Sequence, residues 1–298
     1  MSDSVELRPA RGRLGVLLPG LGAVATTFVA GVCLARRGLA EPVGSLTQLG
    51  RLHLRSGSAR APLLRDALPL ASMADLVFGA WDIFPDNAYE AALHARVLRE
   101  EHLQPVREEL EGLVPMAGAF RPEYVRRLAG AHVKAGSKAE LVEALRHDIR
   151  AFRRARGCDR LVAVWCGSTE RATPRSAAHE SVDAFEAALR RDDPSVTNAQ
   201  LYGWALLSEG VPVANGAPNP MLDFPAAAAL AEERGVPWAG KDFKTGQTLV
   251  KTALAPALRA RLLGVRGWFS TNILGNRDGE VLDDPASFQA KEATKIGV

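Results

Sequence analysis

The sequence predicts an α/β fold built on a doubly wound parallel sheet with helices on both faces. Three observations point there. Short apolar runs alternate with amphipathic, helix-like stretches along nearly the whole chain. The first apolar run opens directly into a glycine loop and then a helical pattern. The chain is 47% hydrophobic and 24% charged, a balance that buries a large core and excludes a disordered chain.

RLGVLLP (13–19) is a compact apolar run and reads as the first strand. Gly20 to Arg37 has helical character and ends at Gly38, a natural C-terminal cap. DLVFGAWDI (75–83) is a second buried-strand candidate, followed by a helix through NAYEAALHARVL. Segment 100–136 is broken by Pro and Gly and is the least regular stretch, an expected excursion from the core. Ser137 with Glu140 forms a capping box that opens a long helix ending at Gly157. LVAVWC (161–166) is the third strand, with helical patterns near 181–191 and 195–209. VPVAN (211–215), a helix over 223–234, VPWAG (236–240) and WFSTNIL (268–274) continue the alternation.

Several function classes drop out. The net charge is +3 and the arginines are scattered, so no concentrated basic face speaks for nucleic acid. Cys33, Cys158 and Cys166 show no CxxC spacing, which argues against zinc and against a disulfide framework. The polar start MSDSVELRPARGR carries no apolar signal core, and the apolar stretch 16–34 is broken by Pro19, Gly20 and Gly22 rather than spanning a membrane. A cytoplasmic protein is the expectation. The six histidines have no HExxH spacing, no GxSxG elbow surrounds Ser168, and no P-loop lysine follows the first glycines.

Three features carry chemistry. Gly20-Leu-Gly22-Ala-Val-Ala25 is a GxGxxA between strand and helix. There the first glycine permits the turn, the second lets a pyrophosphate approach, and the helix start supplies free N–H donors, as in a Rossmann-like nucleotide site. An ordinary tight turn is the plain alternative. The acid expected about 20 positions on falls on Glu41, in a loop. Second, only seven of 37 basic residues are lysine, and Lys241, Lys244, Lys251, Lys291 and Lys295 crowd the end of the chain. A compact, titratable ammonium serves phosphate binding and proton transfer where arginine does not, although some of these, Lys251 first, read as solvated surface. Third, KDFKTGQT (241–248) sets hydroxyls and amides at a helix start, whereas STNILGNRDG (270–279) by itself reads as a turn.

Taken together, PGLGAVATTF, SLTQLG, GAWDI, VWCGSTE, SVTNAQLYGWALLSEGVPVANGAPN, GKDFKTGQT, STNILGNRDG and FQAKEATK stand in the order of the inositol-3-phosphate synthase family, also called myo-inositol-1-phosphate synthase. The chain resembles a bacterial member from about residue 13 to its end. The resemblance implies a Rossmann-like NAD-binding domain over 1–240, and over 241–298 the beginning of an α+β catalytic and tetramerisation domain. It implies NAD held by Gly20, Gly22, Ala23, Val24, Ile83, Asp242, Thr245 and the segment Cys166, Gly167, Ser168, Thr169, with Asp82 in place of Glu41 at the adenosine ribose. Thr245, Gly246, Gln247, Thr248, Asn272, Leu274, Asn276 and Lys295 would surround the sugar phosphate, and Lys291, Lys244 and Asp278 would be catalytic.

The implied reaction converts glucose 6-phosphate to inositol 3-phosphate in a homotetramer that serves inositol and phospholipid synthesis. C5 is oxidised by NAD, the C6 proton is removed, the enolate closes on the C1 aldehyde, and C5 is reduced again. No metal is expected. Members continue past KEATKIGV, so a chain ending at Val298 is expected to bind NAD weakly, to self-associate and to make no inositol phosphate. Two other readings stay open: an NAD-dependent sugar-phosphate dehydrogenase, which would accumulate NADH, and a non-catalytic NAD-binding fragment, which would turn over no sugar phosphate.

Overall fold

A computed structural model describes residues 11–52, 61–243, 246–269 and 277–296. Six parallel strands form one sheet among these residues: β1 (Leu14–Pro19), β2 (Leu76–Asp82), β3 (Met116–Ala117), β4 (Arg160–Trp165), β5 (Val213–Asn215) and β6 (Trp238–Ala239). The order is β3-β2-β1-β4-β5-β6, every pairing parallel. This is the doubly wound arrangement the alternation predicts. Its winding reverses between β1 and β4, where such sheets leave a crevice at the carboxyl ends of the strands.

β1 shows why the run is apolar throughout. Val16 and Leu18 enter one core with α1 (Ala23–Arg36), α4 (Ala88–Ala95) and α6 (Arg107–Glu111), whereas Leu17 enters the opposite core with α7 (Lys138–Arg156), α8 (Val182–Arg190), α9 (Asn198–Ser208) and α10 (Pro225–Arg234). A strand covered on both faces has no polar side to show. Phe152 of α7 packs against β1 and β2. A Cβ on Gly15 or Gly79 would come within 2.8 or 2.6 Å of its ring, so both strands carry glycine beneath it.

The helix ends follow the predicted chemistry. Ser137 and Glu140 complete the capping box of α7, and Gly157 closes it in the left-handed region at φ 59°. After α1, Gly38 takes φ 68° and the Leu39 amide returns to the Leu34 carbonyl at 2.9 Å, a Schellman-type end. The helix expected over NAYEAALHARVL is shorter, because Arg96 turns left-handed at φ 55° and stops α4 at Ala95.

Between α1 and β2 the chain inserts the short helices α2 (Leu46–Leu49) and α3 (Leu64–Ala67). The irregular stretch 100–136 holds α5 (Glu100–Leu103), α6 and the edge strand β3. Beyond β6, α11 (Gly246–Ala260) leaves Leu249, Val250 and Leu254 exposed. α12 (Asp278–Leu282) packs Val281 onto Tyr124, Val125, Phe120 and Leu128, and α13 (Pro285–Ile296) follows it. Of the strand expected over 268–274, Trp268 and Phe269 join no sheet, and 270–274 lie outside the described residues.

Candidate functional site

The site grows from the end of β1. Gly20 turns at φ +94°, a conformation in which a side chain is strained. Its missing Cβ is also a steric need, since that atom would lie 2.7 Å from the Cys166 carbonyl oxygen on β4's exit. The Gly20 amide donates to Trp81 O at 2.8 Å, and the Cys166 amide donates to Pro19 O at 2.9 Å, so three strand ends are laced at one point. Gly22 then caps α1 without a side chain, and the first turn holds no acidic residue. The first N–H groups of a helix have no partner within it, and the helix dipole makes that end attractive to anions.

Asp82 ends β2 beside this turn. Its carboxylate accepts the Leu21 amide at 2.6 Å and the Phe84 amide at 3.1 Å. Burial pushes its pKa up, and those amide donors together with the Arg277 charge pull it back. The opposite wall is the segment 166–169. Asn219 fixes it by donating to Ser168 O at 3.0 Å and accepting the Glu170 amide at 3.2 Å, while Asn215 donates to Asn219 O at 2.7 Å. The Asp242 amide donates to Ala217 O at 3.0 Å, which brings the chain after β6 to the same rim with Asp242 at φ 65°.

Together these enclose a cleft of about 930 Å³ at the reversal point of the sheet. Gly20, Gly22, Ala23, Val24, Asp82, Cys166, Gly167, Ser168, Thr169, Asp242 and Lys291 all line it. Ile83 does not; it is buried and faces a smaller neighbouring chamber of about 80 Å³. Cys166 stays a neutral thiol because burial pushes its pKa up to about 12, which excludes it as a thiolate nucleophile near pH 7. Gly246 opens α11. Lys244, Thr245, Asn272, Leu274 and Asn276 lie outside the described residues, as do the side chains of Gln247, Thr248, Asp278 and Lys295.

The sequence reading missed part of the cleft. Phe28, Phe84, Asp86 and His94 also line it, and Arg277 reaches it from the turn before α12. Arg277 sits inside STNILGNRDG, where only the motif, not its turn-like composition, could have singled it out. Glu41 is exposed and is absent from the lining, so the simple spacing rule fails. The two lysines outside the tail have structural partners. Lys138 donates to Tyr124 Oη at 2.7 Å and to Asp193 O at 2.6 Å, and Lys134 pairs with Asp148 at 2.8 Å.

The residues present fit a dinucleotide. The glycine turn presents an uncapped helix start to the cleft, where phosphates can meet its free N–H groups, and a carboxylate at the tip of β2 stands where a ribose would be read. Among the described residues no cluster of His, Cys, Asp and Glu could hold a metal, and no helix is long and apolar enough to cross a membrane.

A family model of NAD-binding type, described as myo-inositol-1-phosphate synthase, matches residues 14–283. The chain is 49% identical to inositol-3-phosphate synthase 1 of Bacteroides thetaiotaomicron over 296 residues, 98% of this chain and 68% of that one. It is 34% identical to inositol-3-phosphate synthase 1 of Oryza sativa subsp. japonica, across 96% of this chain and 59% of that one. The crystal structure of inositol-3-phosphate synthase from Caenorhabditis elegans superposes with a TM-score of 0.87 at 29% identity, covering 97% of this chain and 60% of that one. The chain therefore spans about three fifths to two thirds of the length of these relatives, and within that span it belongs to the myo-inositol-1-phosphate synthase family.

Proposed function

We propose that this chain carries the NAD site and part of the sugar-phosphate site of an inositol-3-phosphate synthase, the isomerase that turns D-glucose 6-phosphate into 1D-myo-inositol 3-phosphate. The reading is supported above all by one arrangement: the α1 start, Asp82, segment 166–169, Asp242 and Lys291 share a single cleft at the sheet's reversal point. In this reading the Gly20–Val24 turn binds the pyrophosphate and Asp82 accepts hydroxyls of the adenosine ribose. NAD, when bound, supplies the hydride acceptor for C5 and returns the hydride, so the net reaction is an isomerisation.

The rest is the work of side chains. The Lys291 ammonium steadies the C5 oxygen as its proton leaves during oxidation and again when the enolate forms, with Lys244 and Asp278 completing proton transfer. Gly246 and the α11 start, with Thr245, Gln247, Thr248, Asn272, Leu274, Asn276 and Lys295, hold the phosphate. The same reading has residues 1–240 as the NAD-binding domain and 241–298 as the opening of the catalytic domain. It further has the enzyme act in the cytoplasm as a homotetramer supplying inositol for phospholipids.

Calorimetry with NAD and NADP tests the cofactor. NAD should bind more tightly, because Asp82 repels the extra 2′-phosphate. Asp82→Ala should weaken NAD about tenfold or more and narrow the preference, since a charge-assisted hydrogen bond is lost. Equal affinities in the unaltered protein would sink the assignment. On the longest form of the protein that turns over glucose 6-phosphate, followed by phosphorus NMR, Lys291→Ala should lower kcat on the order of 10²–10³-fold. Net accumulation of NADH in that assay would point to a dehydrogenase instead.

A further inference from the structure

The turn before α12 delivers a cation, Arg277, to the lining of the cleft. α12 is anchored on the β3 side by Val281, which is 1% exposed against Tyr124 and Val125, and by the Arg127–Asp283 pair at 3.6 Å. This docking lays the Arg277 guanidinium 3.6 Å above the centre of the Phe84 ring, two residues past Asp82. Arg277 and Phe84 both line the cleft, as do Asp86 and His94. A planar cation held face-on to an aromatic ring keeps its other face available for a second planar group such as an adenine.

We propose that Arg277 determines cofactor binding from the catalytic side of the chain, clasping the adenosine half of the dinucleotide between α12 and the β2 exit. This rests on the NAD reading above. It adds that the segment after residue 276, and not only the glycine turn, sets affinity for the adenosine end. A purely structural role for the Arg277–Phe84 stack would be to pin α12, and would affect both halves of the dinucleotide alike.

The experiment is calorimetry of the unaltered protein, Arg277→Ala, Arg277→Lys and Phe84→Ala with NAD, ADP-ribose and nicotinamide mononucleotide. Arg277→Ala should weaken NAD and ADP-ribose about ten- to thirtyfold and leave nicotinamide mononucleotide unchanged. Arg277→Lys should recover only part of the loss, because an ammonium keeps the charge without the plane. Phe84→Ala should show the same split as Arg277→Ala. Equal losses for ADP-ribose and nicotinamide mononucleotide, or none for either, would overturn the proposal. Failure of the unaltered protein to bind NAD at all would instead overturn the cofactor reading on which it rests.

Discussion

At pH 8 the unaltered protein is expected to have lost about 3 kcal/mol of stability to one buried carboxyl, and Glu170→Gln is expected to abolish that pH-dependent loss. Glu170 is 3% exposed, and its one satisfied oxygen accepts the Ala199 amide at 2.9 Å at the start of α9. The other oxygen, Oε2, is buried without a hydrogen-bond partner. Burial raises its pKa to about 7 from an ordinary 4.5, against the Thr197 hydroxyl, the Ala199 and Asn198 amides and the Lys138 charge, all of which lower it. The folded chain therefore holds a proton between pH 4.5 and 7 that the unfolded chain has released. The contribution of this group is fully present below pH 4.5 and is lost as pH rises through that window. Glutamine is neutral throughout and keeps the acceptor for Ala199, so the decline should vanish. Urea unfolding at pH 5 and pH 8 measures this. A variant that keeps the same slope between the two pH values would show that burial of this carboxyl is compensated.

Gly20→Ala is expected to cost about 3–5 kcal/mol of stability and most of the NAD affinity. Two penalties add here. Any side chain at φ +94° is strained, and the new Cβ would meet the Cys166 carbonyl oxygen at 2.7 Å and Gly167 Cα at 2.8 Å. Those neighbours are backbone and cannot swing aside, and the bonds from Gly20 N to Trp81 O and from Cys166 N to Pro19 O hold both walls. Relief must come from moving the turn away from the α1 start, which is the proposed pyrophosphate seat. Gly31→Ala is the control. It lies within α1, its Cβ would meet nothing within 4 Å, and it should be neutral or stabilising by about 0.5–1 kcal/mol. Unfolding curves and NAD titrations read both. A folded Gly20→Ala protein with unaltered NAD affinity would remove the turn from the cofactor site.

How much of this was legible in advance follows the range of the interactions. The strands β1, β2 and β4, the capping box at Ser137 and Glu140, the left-handed ends at Gly38 and Gly157 and the glycine turn at 20–22 are written in neighbouring residues. Local periodicity and capping chemistry suffice to read them. β3 is two residues long, too short for any period, and forms only where β2 offers its edge, whereas β6, equally short, lies within the apolar run VPWAG that the alternation already marked.

The site divides the same way. Spacing nominated Glu41, because a short crossover would put the acid about 20 residues on. The chain instead inserts α2 and α3 before β2, and parallel pairing sets Pro19 beside Trp81, so Asp82 reaches the glycine turn from 61 residues away. Family motifs named Asp82 and Lys291, but which side chains face one cleft was decided by the sheet order. The burial of Glu170, the stacking of Arg277 on Phe84 and the missing space at Gly20 arise where segments far apart in sequence are pressed together. A linear sequence carries local preference in each residue's own chemistry. Desolvation, close contact and convergence of charge belong to pairs of distant residues, and only the packed chain brings those pairs into being.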